Sequence, residues 1–142
     1  FSGYLNRPEA TEAALDPDGF FHTGDIASIT AEGEVRIVGR RATDLIKTGG
    51  YKVGAGEVEA ALLEHPGVRE AAVVGLPDDD LGERIAAFVV AAPGASPRPE
   101  ELAEHVARLL APHKRPRTVK LVPALPRNAM GKVLKMQLPS LL

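Results

Sequence analysis

The apolar and polar positions of this 142-residue chain fall into a short irregular opening and a longer patterned region. Pro8 to Leu15 predicts a short helix with proline in its first turn. Asp16-Pro17-Asp18-Gly19 has the residue chemistry of a turn, and Ala31-Glu32-Gly33-Glu34 that of a hairpin turn leading into the alternating strand Val35-Arg36-Ile37-Val38. From Gly39 to Gly56 the pattern dissolves into five glycines, several cations and little periodicity, which reads as a strand-poor loop. Glu57 to His65 is helical, with Val58, Ala61 and Leu62 on one face, and Pro66-Gly67 stops it. Val68 to Gly75 and Arg84 to Ala92 read as two buried strands, joined through Pro77-Asp78-Asp79-Asp80. Glu100 to Leu110 predicts an amphipathic helix with Leu102, Val106, Leu109 and Leu110 inward. Thr118 to Val122 is a last strand, and Lys132 to Leu138 a final helical turn or two. Helix, strand, strand, helix, strand is the order of a small α+β unit, and the shift in composition puts a boundary near Arg40 to Thr43.

Composition narrows the possibilities. With 44% hydrophobic and 25% charged residues, the chain can bury a core and is not a disordered polymer. Seventeen basic against nineteen acidic residues give a formal charge of −2, so no dominant sign points to nucleic acid or to a membrane surface. Cysteine is absent, which removes disulfides, thiolate metal sites and a cysteine nucleophile. No apolar run approaches the roughly 18 residues of a bilayer span, so the expected setting is the cytoplasm. The start at Phe1-Ser2-Gly3 and the apolar end at Leu138-Pro139-Ser140-Leu141-Leu142 read as those of a piece of a longer polypeptide.

Several familiar motifs fail on inspection. Around Gly131-Lys132, a phosphate loop would need glycine at position 126 and Ser or Thr at 133, where Pro126 and Val133 stand. The tract from Gly49 to Gly56 follows no apolar strand and is not a dinucleotide fingerprint. It reads either as a loop that merely turns or as backbone kept bare for an extended ligand. Asp78-Asp79-Asp80 lacks the spaced ligand set of a calcium loop and reads as a solvated turn. The four histidines show no metal-ligand spacing, and His65 and His105 fit helix surfaces; no metal site is expected.

Two features remain. Thr23-Gly24-Asp25 places a short carboxylate after a glycine turn, able to accept hydrogen bonds from a vicinal diol, and Arg40 after Gly39 could complete such a site. Lys132, in the loop Pro126-Arg127-Asn128-Ala129-Met130-Gly131, is a long cation on a mobile tip with few local partners.

In that order these residues resemble the adenylate-forming superfamily of acyl-CoA synthetases, peptide-synthetase adenylation domains and beetle luciferases. Its Thr-Gly-Asp motif matches Thr23-Gly24-Asp25, and its Gly-Arg-x-x-Asp-x-Ile-x-x-x-Gly signature resembles Gly39 to Gly50. Its Glu-Val-Glu helix start matches Glu57-Val58-Glu59, and its terminal Gly-Lys matches Gly131-Lys132. The stretch from Gly39 to Lys52 looks most like malonyl-CoA synthetases. There is one departure. Many members carry a hinge Asp or Lys two residues after the signature arginine, where this chain has Ala42 in a segment one residue longer, leaving the hinge within Arg41, Ala42 and Thr43.

The resemblance implies the end of a large adenylation domain with its hinge over residues 1–41 and a small mobile domain over 42–142. The small domain would hold a short mixed sheet flanked by helices, and the preceding tail would be hairpin-like. It implies a ligase that activates a small carboxylic acid with Mg²⁺ and ATP as an acyl-adenylate and passes the acyl group to CoA. Asp25 and Arg40 would hold the ribose hydroxyls, and Lys132 would reach the carboxylate and α-phosphate. Lys47, Gly49, Gly50 and Lys52 would face CoA after the domain turns. Nucleotide, Mg²⁺ and acid would be bound mainly by the upstream domain. Two alternatives stand beside this: an adenylation domain that loads a carrier protein, and a non-catalytic substrate for a lysine acetyltransferase acting on Lys132.

Overall fold

The computed structural model describes residues 1–40 and 44–142, and of Arg36, Val38 and Arg40 the backbone only. The expected hinge residues Arg41, Ala42 and Thr43 lie outside the described residues. Helix α1 spans Pro8–Ala14, starting on the proline that lacks an N–H where the first turn has no acceptor for one. The Asp16 carboxylate accepts the Phe20 N–H at 2.8 Å and closes the expected turn. Strands β1 (Asp25–Ile29) and β2 (Val35–Arg40) pair antiparallel as the expected hairpin, with a bulge between Ile26 and Ala27. Ile29, Val35 and Ile37 are 74, 66 and 63% exposed, and none of the described side chains from residue 1 to 40 is buried. This stretch has no core of its own.

The region read as a strand-poor loop is a β-hairpin. Strands β3 (Leu45–Thr48) and β4 (Tyr51–Gly54) pair antiparallel around the two-residue connection Gly49-Gly50. These glycines have φ of +55° and +83°, the left-handed pair of a type I′ turn, whose twist matches that of paired strands. Helix α2 (Ala55–Leu63) begins two residues before Glu57, whose carboxylate accepts the Gly54 N–H at 3.2 Å and satisfies a donor left free at the helix start. Strands β5 (Val68–Asp78) and β6 (Gly82–Ala91) form a long hairpin. At its turn, Asp78 Oδ1 accepts the N–H groups of Asp80 and Leu81, so the acidic run is a turn as its residues suggested. Helix α3 (Pro99–Leu109), a 3-10 turn at Pro112–Lys114, strand β7 (Thr118–Leu121) and a 3-10 segment at Lys135–Leu141 complete the chain.

The second sheet runs β4-β3-β6-β5, with β7 parallel to β6, a mixed sheet of five strands. Its faces explain why β5 and β6 read as near-continuous apolar runs: both are covered. One face carries Val73, Ile85, Ala87 and Val89 against Val58 and Leu62 of α2 and Leu102 and Val106 of α3. The other carries Ala72, Val74, Ala86 and Phe88 against Val122, Leu125 and Leu138 of the terminal segment. Full burial of Phe88 or Leu138 is worth about 1.5–3 kcal/mol each. Leu138 thus anchors the end of the chain.

Three expectations are corrected. Leu109 is 46% exposed and Leu110 only partly buried, because α3 ends at Leu109 and the chain turns extended there, while Ala103 takes the inward place. His65 lies beyond the end of α2 at Leu63 and not on its surface, while His105 is half-buried on α3, and their rings meet edge to face with centroids 5.1 Å apart. The segment after Lys132 is not helical until Lys135, because Val133 bridges back to Arg127.

Candidate functional site

Lys132 stands on a loop closed by the antiparallel bridge between Arg127 and Val133. Asn128 organises the tip. Its Oδ1 accepts the N–H groups of Met130 (3.0 Å) and Lys132 (2.9 Å), while its own N–H donates to the Lys132 carbonyl at 2.9 Å. Arg127 braces the same tip from outside: one guanidinium nitrogen donates to the Gly131 carbonyl at 2.6 Å and the other to Glu70 on β5. That hydrogen bond holds the Glu70 carboxyl below its ordinary range. The backbone around Lys132 is therefore tied by hydrogen bonds. The side chain is a different matter. It is exposed, and among the described residues it makes no hydrogen bond or ion pair.

Behind the loop lies a charged cluster. Lys135 Nζ is 2.7 Å from Asp44 Oδ1 and 2.8 Å from Glu59 Oε1, and Glu59 Oε1 also accepts the Val73 N–H at 2.8 Å. Burial works to lower the Lys135 pKa, but hydrogen bonds to Asp44 and Glu59 outweigh it and raise the pKa above the ordinary lysine value. Asp44, Glu59, Lys132 and Lys135 line one cleft of about 570 Å³ with apolar walls from Ala71, Ala72 and Leu134. Sequence reading missed Lys135, Arg127 and Glu70, and quoted Asp44 and Glu59 only as parts of motifs. The Lys135–Asp44 contact spans 91 residues of sequence, so no local spacing could announce it.

The other predicted residues occupy two further places. Asp25, the first residue of β1, lies directly opposite Arg40, the last of β2, so the hairpin register brings these two backbone positions together. The Asp25 N–H donates to Thr23 Oγ1 at 3.1 Å, which fixes the turn before the strand. Lys47 and Lys52 are cross-strand partners at the base of the Gly49-Gly50 turn, both exposed. The turn is pinned beside the β5–β6 connection by Gly49 N–H to Leu81 carbonyl (2.9 Å), and Lys47 N–H donates to the Glu83 carboxylate at 2.6 Å. A Cβ on Gly50 would meet nothing within 4 Å, so its requirement is the turn conformation and not close packing within this chain. The glycine turn lies at the Asp78 end of β5, whereas the cleft beside Lys132 lies at Ala71 and Ala72. Six residues of strand separate Ala72 from Asp78, about 20 Å at roughly 3.4 Å per residue. The structure does not bring the lysine loop and the glycine turn into one site.

Among the described residues no group of three or more His, Asp or Glu side chains converges as a metal site, and no helix is long and apolar enough to cross a membrane. The malonate–CoA ligase of Arabidopsis thaliana is 42% identical over 148 residues, covering 97% of this chain and 24% of that protein. The structure of ATP-bound MatB from Rhodopseudomonas palustris superposes with a TM-score of 0.87 at 41% identity, covering 99% of this chain and 28% of that one. The o-succinylbenzoate–CoA synthetase of Bacillus subtilis, in complex with an acyl-adenylate intermediate, gives 0.85 at 37% identity, covering 96% of this chain and 27% of that one. The chain thus spans about a quarter of the length of the proteins it matches. The profile of the AMP-binding enzyme C-terminal domain matches residues 57–132, from the capping glutamate of α2 to the exposed lysine, and the chain belongs to that family.

Proposed function

We propose that this chain is the carboxy-terminal part of an AMP-forming acid–CoA ligase acting on a small carboxylic acid, with malonate the first candidate. The observation that carries the proposal is an exposed lysine, without a partner among the described residues, on a loop braced by Asn128 and Arg127. A cation held ready in this way suits charge that builds on phosphate oxygens, where a preorganised group is worth most. The similarity to a malonate–CoA ligase supports the choice of acid.

In this reading residues 1–41 end the large domain, and the exposed apolar side chains of the β1–β2 hairpin meet the rest of it. Asp25 and Arg40 hold the ribose hydroxyls, and the hinge lies within Arg41 to Thr43. In the first step a carboxylate oxygen bonds to the α-phosphorus of ATP as the bond to pyrophosphate breaks. Lys132 balances the negative charge gathered there. The small domain then turns, and the Lys47–Lys52 hairpin faces the site while the CoA sulfur attacks the acyl carbon and AMP leaves. The opposed Lys47 and Lys52 make a positive rim suited to the phosphates of CoA. The placement of the lysine loop and the glycine turn near opposite ends of β5 supports two parts of the domain used in succession. Mg²⁺ would accompany ATP on the upstream domain. A cytoplasmic location belongs to the same reading.

The test is pyrophosphate exchange by the full-length protein with malonate and other short acids, followed by thioester formation with CoA. Failure of both with every acid would overturn the proposal. A second reading rests on the same exposure of Lys132: the loop is also a substrate for a lysine acetyltransferase. Mass spectrometry after incubation with such an enzyme and acetyl-CoA decides it.

A further inference from the structure

A second lysine lines the cleft behind the lysine loop. Lys135, three positions after Lys132, has a half-buried side chain whose ammonium lies between two carboxylates drawn from different parts of the fold. Asp44 immediately precedes β3 and follows the segment 41–43. Its carbonyl accepts the Ala55 N–H at 2.6 Å, and a Cβ on Gly39 would lie only 2.8 Å from its own Cβ, so the chain on both sides is fitted around it. Glu59 sits on α2 and is shared with the Val73 N–H of β5. One ammonium therefore joins the start of the domain, its first long helix and edge strand, and the end of the lysine loop. The Leu134 N–H, bonded to the Pro126 carbonyl at 2.8 Å, continues the connection to the base of that loop. Removing the ammonium leaves two carboxylates facing one another, and like charges in one site push apart. Partly exposed ion pairs contribute little to stability, so the arrangement is better explained by the geometry it imposes than by energy gained.

We propose that Lys135 is a positioning residue: through Asp44 and Glu59 it ties the chain that follows residues 41–43 to the loop bearing Lys132, and so sets where Lys132 is presented. This rests on the ligase reading above. The tie acts on adenylation, because Lys132 serves that step, and not on the thioester step. Misplacing a reacting group by about 1 Å costs on the order of 10²-fold, which sets the expected scale.

The experiment uses the full-length protein and the variants Lys135→Met, Lys135→Arg and Glu59→Gln, each with Lys132 intact and with Lys132→Ala. Glu59→Gln keeps an acceptor for the Val73 N–H while removing the charge, so it isolates the ion pair. With Lys132 intact, Lys135→Met should lower kcat for pyrophosphate exchange about 10- to 100-fold with little change in the KM for ATP, and Lys135→Arg should restore most of it. In the Lys132→Ala background Lys135→Met should add no further loss, since a residue acting through another has nothing left to position. Thioester formation from supplied acyl-adenylate should be unchanged. Hydrogen exchange of the peptide over residues 127–134 should quicken in Lys135→Met while peptides from β5 and β6 stay as they were. Equal losses in both backgrounds, equal losses in both half-reactions, or unchanged exchange in the loop would overturn the proposal. If the unaltered protein carries out no pyrophosphate exchange with any acid, the ligase reading falls. Hydrogen exchange alone then decides the tie, quickening confined to the loop upholding it and no change overturning it.

Discussion

In the proposed ligase two side chains carry the most chemistry, and they are prepared in opposite ways. Among the described residues the Lys132 ammonium has no partner, so none of their ion pairs must break before its cation meets a phosphate. Lys132→Ala in the full-length protein should lower pyrophosphate exchange on the order of 10²–10³-fold, the usual scale for one preorganised electrostatic group. Acetylation should act similarly because it removes the charge. Thioester formation from synthetic acyl-adenylate and CoA should be far less affected, and an equal loss in both half-reactions would remove the step-specific role. Asp25 is prepared by its neighbours instead, with its N–H held by Thr23 and its backbone opposite Arg40. Hydrogen bonds to a charged group are worth about 1.5–3 kcal/mol each, so Asp25→Ala should weaken ATP use more than tenfold. An unchanged KM for ATP and an unchanged kcat would rule out the ribose assignment.

Among the elements, the β3–β4 hairpin bears most directly on mechanism, and it was the least legible. Its strands have four residues each, too few for alternation to stand out among cations and glycines. The Gly49-Gly50 pair was itself a hairpin signal, since adjacent glycines favour the type I′ turn observed. By contrast α2 and α3 were legible from their helical apolar periods, and β5 and β6 from apolar runs covered on both faces. Lys132 and Asp25 could be singled out as candidates, because each stands in a short run with a local signature. The cluster of Lys135, Asp44 and Glu59 could not, since its members meet only through the tertiary fold. The hairpin yields a prediction in two parts. Gly50→Leu should destabilise the domain by about 1–3 kcal/mol, because leucine is strained at positive φ. Gly50→Asn, which tolerates that conformation, should fold normally, spare pyrophosphate exchange and slow the thioester step. Thermal melts followed by circular dichroism separate the strain from the catalytic effect.

For the molecule as a whole, ion pairs tie the lysine-loop segment to the rest of the fold: Arg127 to Glu70 on β5, and Lys135 to Asp44 before β3 and to Glu59 on α2. Glu70 has its carboxyl held below 4.5 chiefly by the hydrogen bond from Arg127. A group with a lowered native pKa binds fewer protons when folded, so its contribution is fully present above 4.5 and fades as pH falls through the lower native value. Lys135 is the converse case. Burial opposes its charge, yet Asp44 and Glu59 raise its pKa above 10.5, so its contribution is complete below 10.5 and is lost as pH climbs through the higher native value. Between these limits neither pair changes its state, and their stabilisation should be flat. The sign can be read by difference. Melting temperature plotted against pH for Glu70→Gln should run parallel to the unaltered protein above 4.5 and converge with it in acid. The corresponding curve for Lys135→Met should run parallel from neutral pH up to 10.5 and converge in alkali. Because both pairs are partly exposed, the offsets should be small and should shrink in high salt, to which exposed pairs are more sensitive than buried ones. An offset for Lys135→Met that persists undiminished into strong alkali would mean that its ammonium is not the charged partner of Asp44 and Glu59. The lysine loop would then be held by Arg127, Asn128 and the buried Leu138 without it.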